Sequence, residues 1–223
     1  MGRDRAELLE EPDLAELDAA YFASERNART LVEGLDETDG TWRAAPGSWS
    51  VAECLDHLAV GNRVYVAAME PSAARARDAG RLRRKPAVPG LIGGWFARSL
   101  EPPVGRKLRA PRAIVPRAGP PLADAAAAFF ASHAQVVSFL REYAGIDLAG
   151  VHFPNPFIPG VRFSLATGLH VLAAHERRHL WQAWNVRRER VAGAGAGAGA
   201  GADADAGADA DAGAGGASPS AGR

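Results

Sequence analysis

Cysteine is almost missing from this chain. Cys54 stands alone among 223 residues, which excludes an internal disulfide framework and suits a reducing compartment. A prevailing charge is missing too: lysine plus arginine number 26, as do aspartate plus glutamate. No net field therefore draws in a nucleic acid or an acidic membrane surface. No apolar run approaches the roughly eighteen residues that a membrane-spanning helix needs. The N-terminal MGRDRAELLEEPDLAEL carries charges where a signal peptide would be apolar. The expectation is a cytoplasmic protein with neither a nucleic-acid nor a membrane partner.

Large apolar side chains are missing from the far end. From Ala192 the chain alternates alanine and glycine and then adds Asp203, Asp205, Asp209 and Asp211. Such a composition does not repay the entropy of ordering, so residues 191–223 are expected to form a disordered tail. The acidic repeat lacks the ligand spacing of a calcium loop. About 190 residues remain, enough for one domain with a full core. That domain is expected over residues 12–190, after an N-terminal extension over 1–11.

Strand periodicity is hard to find, and helical spacing is plain. Leu14, Leu17, Ala20, Tyr21, Ala28, Leu31 and Leu35 mark a helix over residues 12–36. Ser50 followed by Glu53 has capping-box spacing at the start of a second helix over 51–78. Pro71 is expected to kink or shorten it. Residues 80–120 are irregular and rich in proline and arginine, with a short helix near Leu91–Leu100. So long a link often serves as a lid; its basic residues, from Arg81 to Arg117, suit a solvated loop or an anion site. A third helix spans 121–144, and residues 146–163 form an extended, proline-rich connection. The fourth helix runs from Ser164 to about Arg190. Four long helices joined by two long links argue for an all-α, antiparallel-type four-helix bundle.

The fourth helix carries the chemistry. His175 and His179 lie one turn apart on one face, with Leu172, Gln182 and Val186 in the same sector. Read literally, His175-Glu176-Arg177-Arg178-His179 spells the H-E-x-x-H of zinc proteases, with Glu176 as general base. Positions 182 and 185 hold Gln and Asn where a metzincin needs Gly and His. Only Glu189 follows as an acidic residue before the tail, so the protease reading lacks its third ligand. His170 falls opposite His179 on the wheel and cannot join the pair. The residues alone leave His57, His133 and His152 open, with His57 ahead because it lies beside the second helix's core stripe. Cys54, one turn from His57, reads as core. Histidines on an inward face also serve as hydrogen-bonded core residues, so spacing does not by itself establish a metal.

The segment from Trp42 to Leu58, with Trp49-Ser50-Val51 opening a helix and Asp56-His57-Leu58 following, resembles the N-terminal signature of the DinB-like superfamily. His175, His179 and Gln182 resemble its second signature. The resemblance covers about residues 12–190 and includes YfiT-type metal hydrolases and bacillithiol or mycothiol S-transferases. It implies an up-down-down-up four-helix bundle, commonly dimeric, with His57, His175 and His179 holding a divalent metal. Zinc or nickel come first, with iron or manganese also accepted by three imidazoles. The implied function is a metal-dependent thiol S-transferase or hydrolase acting on a small molecule, such as a low-molecular-weight thiol. Glu176 and Gln182 are the catalytic candidates, and Glu176 has an equal claim to an outer or surface role. The alternative is a non-catalytic metal-binding or stress-response bundle that acts through partners. The long basic link at 80–120 departs from the family pattern and leaves the substrate open.

Overall fold

A computed structural model describes residues 5–103, 111 and 114–205. A short α1 (Arg5–Leu9) leads into α2 (Pro12–Val32), and the single turn α3 (Glu37–Thr41) precedes α4 (Val51–Asp78). The long link holds α5 (Leu91–Ser99), followed by α6 (Leu122–Tyr143). A hairpin of β1 (His152–Pro154) and β2 (Arg162–Ser164) then leads into α7 (Leu165–Asp205). The four long helices, α2, α4, α6 and α7, form the expected all-α bundle.

Contacts between helices fix their directions. The ends of α4 and α6 meet through Arg77 and Glu142, at 2.5 Å, and through Tyr143 and Glu70. Their middles meet at Asn62 and Ser132, so α4 and α6 run parallel. Asp18, early in α2, pairs with Arg141, late in α6, so these two are antiparallel. Tyr21 donates to the Leu169 carbonyl at 2.6 Å, and Arg187 reaches the Leu31 carbonyl at the other end. These contacts set α2 parallel to α7. The order is up-down-down-up. Parallel neighbours cannot be joined by a tight turn, and this is the structural reason for the long link between α4 and α6.

Several boundaries differ from the periodicity reading. α2 stops at Val32, before Gly34 takes a φ of 71° that favours glycine and ends a helix. α4 runs through Pro71 to Asp78, with Ala73 and Ala76 buried beyond the proline; packing outweighs the one lost hydrogen bond. α7 continues past Arg190 to Asp205, so Arg190 is not its end. Part of the expected disordered tail, residues 206–223, lies outside the described residues. The extended link at 146–163 contains a small antiparallel pair in which Phe153 faces Phe163. Strands of three residues are too short to show a period. Within the N-terminal extension, α1 packs Leu8 into the core.

The core is divided. One apolar cluster gathers Leu14, Leu17, Tyr21, Tyr65, Met69, Val136, Phe139, Phe153 and Leu169. The other gathers Ala28, Leu31, Leu55, Leu58, Phe129, Leu180 and Ala183. Between them every long helix contributes buried polar groups: Ser24, Asn62, Ser132, His133, Glu176 and His179. The candidate site is built into this polar layer.

Candidate metal centre

Local chemistry places the first histidine. Ser50 accepts a hydrogen bond from the Glu53 amide at 3.1 Å, and the Glu53 carboxylate accepts one from the Ser50 amide at 2.9 Å. This is the capping box that the sequence suggested. Arg43 locks it by donating to both Glu53 oxygens. With its start fixed, α4 carries His57 inward toward α7, and Trp49 lies against the His57 ring at a centroid distance of 4.7 Å.

On α7, His175 and His179 face His57. The ligand-capable nitrogens of the three lie within 4.8 Å of one another, the one such group of three or more among the described residues. His57 Nε2 is 3.0 Å from His175 Nε2. Ring centroids are 4.9 Å apart for His57 and His175, 4.4 Å for His57 and His179, and 4.7 Å for His175 and His179. Gly61 makes room: a Cβ there would stand 3.2 Å from His175 Cε1.

Two of the rings have their other nitrogen engaged. His57 Nδ1 donates to the Ile114 carbonyl at 2.5 Å, and His179 Nδ1 donates to Gln182 Oε1 at 3.1 Å. A neutral imidazole has one N–H, so both present a bare Nε2 lone pair to the cluster. Burial lowers all three pKa values. His175 is pushed down to about 3, first by burial and then by His57 and Arg178. His179 falls well below its ordinary value through burial, His175, His57 and Arg178. His57 is lowered by burial, against the opposing pull of the Ile114 carbonyl and Asp56. The cluster is therefore neutral near pH 7. Three neutral imidazoles, two of them with a bare Nε2 lone pair turned to the cluster, suit a borderline divalent cation and leave its charge undiminished.

The remaining candidates lie elsewhere. Glu176 is fully buried and turns toward α6. It accepts hydrogen bonds from Asn62 Nδ2 at 2.9 Å and His133 Nδ1 at 3.0 Å. Both of these partners lie within the polar layer, and Glu176 is not part of the three-histidine group. Gln182 holds His179. His152 is exposed on β1 and bonds the Gly150 carbonyl, while His170 donates to the Ala87 carbonyl at 3.2 Å on another face. Cys54 is buried, and burial raises its thiol pKa, consistent with core.

Three contributors escaped sequence reasoning. Ile114 acts through its backbone carbonyl, which no side-chain pattern reports. Arg117 bonds Asp56, the residue before His57; an acid beside a ligand and an excess of arginine in the link were the available signals. Arg178 is only 8% exposed, and its charge helps keep His175 and His179 unprotonated. Of the basic cluster in the link, Arg83 is likewise structural, paired with Asp13 at 2.6 Å. Arg106, Lys107, Arg109 and Arg112 lie outside the described residues.

Three histidines converge from the second and fourth long helices of an up-down-down-up bundle, a group that could hold a metal ion. The family model of the DinB superfamily matches residues 20–183, and the chain belongs to that superfamily. No curated protein and no solved structure matches it.

Proposed function

We propose that the protein is a divalent-metal-dependent enzyme acting on a small molecule, with thiol S-transfer as the first reading. The observation that carries this is the convergence of His57, His175 and His179 as neutral donors. Zinc or nickel are the first cations to test, and the same donors accept iron or manganese. When bound, such a cation supplies Lewis acidity that lowers the pKa of a coordinated thiol or water.

The protein's own groups favour the thiol over water. Metal hydrolases of the protease type pair the cation with a carboxylate base. Here Glu176 is held by Asn62 and His133, and Asp56 is held by Arg117. A thiol is intrinsically far more acidic than water, so on a cation it gives up its proton to solvent without such a base. His57, His175 and His179 hold the reacting centre, Gln182 orients His179, and Trp49 shields one side of the rings. The engagement of both carboxylates also supports the second reading, a metal-binding bundle without turnover.

Incubating the metal-loaded protein with low-molecular-weight thiols and alkylating electrophiles separates the two readings. Turnover that disappears in His175→Ala is expected. No turnover across the thiol panel, with metal still bound, supports the non-catalytic bundle. The homodimer implied by the resemblance is tested by sedimentation of the full chain. No helix among the described residues is long and apolar enough to cross a membrane.

A further inference from the structure

The end of the long link reaches the metal centre at two points. Ile114, 4% exposed, gives its carbonyl oxygen to His57 Nδ1 at 2.5 Å. Arg117, three positions on, fastens the same stretch to Asp56. Its backbone N–H donates to Asp56 Oδ2 at 2.9 Å, and its guanidinium donates to Oδ1 at 3.0 and 2.8 Å. The Asp56 side chain is 2% exposed and that of Arg117 is 62% exposed, so the arginine reaches inward from the surface to a buried anchor. Further along, the Leu122 amide donates to the Glu37 carboxylate at 3.0 and 3.2 Å. Residues 114–122 are thus pinned at both ends.

We propose that residues 114–117 form a positioning strap for His57, with the Asp56–Arg117 clamp holding the Ile114 carbonyl against Nδ1. The inference rests on the three-histidine metal reading and adds what makes that site competent. A neutral imidazole carries its proton on one nitrogen or the other. With the proton on Nε2, His57 would donate to His175 Nε2, 3.0 Å away, and the two rings would close on each other instead of on a cation. The Ile114 carbonyl draws the proton to Nδ1 and leaves the Nε2 lone pair of His57 free for a cation. Outer partners of this kind orient a metal-bound histidine and set its tautomer. The acceptor is a backbone oxygen, so no side-chain replacement removes it; Arg117 is the handle by which the strap can be loosened.

The test uses the full chain as wild type, Arg117→Ala, Arg117→Lys and His57→Ala. Zinc affinity is measured by competition with a chromophoric chelator, and nitrogen NMR of the metal-free protein reports the His57 tautomer. Arg117→Ala is expected to weaken zinc by about 10–100-fold and to move His57 from the Nδ1–H form toward a mixture, with far-ultraviolet circular dichroism unchanged. Arg117→Lys keeps a cation near Asp56 without the forked contact and is expected to fall between the two. Should Arg117→Ala lose helical signal, Arg117→Lys carries the test alone. Wild-type affinity (within about twofold) and an unchanged tautomer in the folded Arg117 variants overturn the strap. Wild type that binds no zinc, or His57→Ala that binds it as tightly, overturns the three-histidine reading and the strap with it. In that case the failure appears in the controls, not in the Arg117 variants.

Discussion

Glu176 sits one position from His175 yet works on a different face of the helix. A step of one residue turns about 100° around an α-helix, enough to send His175 toward His57 and Glu176 toward α6. There its carboxylate is fully buried and bonded to Asn62 and His133. Removing one partner of such a buried pair leaves the other uncompensated, so Glu176→Ala is expected to cost about 3 kcal/mol in urea unfolding. The pair also sets a pH dependence. Burial alone would lower the His133 pKa, but the hydrogen bond and charge of Glu176, aided by Glu25, outweigh burial and the opposing charge of Arg29, and the net shift is upward. A folded value above the unfolded value of about 6.5 makes this contribution complete below that pH and lost as pH rises through the folded value. The stability gap between wild type and His133→Gln should therefore be widest at mildly acidic pH and narrow on alkalinisation. A gap that widens instead contradicts the pairing. The comparison must be differential, because the lowered values of His57, His175 and His179 act with opposite sign in the metal-free protein.

Among the elements, α4 does most to shape the site, and its sequence announced much of that. Its cap followed from Ser50 and Glu53, and the apolar spacing put His57 beside the core stripe; its end did not follow, because Pro71 predicts a kink or a shorter helix. Ser50→Ala should cost about 1 kcal/mol, read as a shift in the urea midpoint. The tight approach of α4 to α7 was not readable, because a glycine in a helix does not say what passes over it. Gly61 lies under the His175 ring. Gly61→Ala should weaken metal binding more than it lowers the unfolding midpoint, since the new Cβ meets the His175 ring. Gly168 shows the same device in the core: a Cβ there would stand 2.6 Å from Met69 Sδ and 3.0 Å from Phe153. Gly168→Ala should destabilise by about 1–3 kcal/mol through overpacking, with metal affinity kept in the folded fraction. The β1–β2 hairpin and the path of the long link had no legible signal, because proline-rich connections are ordered by tertiary contacts such as Arg83 with Asp13 and Leu82 with Ile146.

At the scale of the whole molecule, the bundle sets two apolar clusters on either side of a polar layer and places the chemistry in that layer. The fold class was legible because four amphipathic helices and two long links leave few other arrangements. The histidine pair on α7 was legible for the same reason of spacing. The third histidine was not settled by spacing, since His57, His133 and His152 all remained open. Only packing shows that His133 is taken by Glu176 and that His152 is exposed on the hairpin. A cation that binds only the folded protein raises its stability by mass action, so zinc should raise the melting temperature of wild type and leave that of His57→Ala unmoved.

The central claim is that His57, His175 and His179 together hold one divalent cation. Metal content per chain after equilibrium dialysis tests it most directly, on wild type, on the alanine variant of each of these histidines, and on His152→Ala and His170→Ala. The prediction is one metal per chain in wild type and in the two control variants, and near none in His57→Ala, His175→Ala and His179→Ala. Equimolar metal retained in any of those last three, or its absence from wild type, would contradict it.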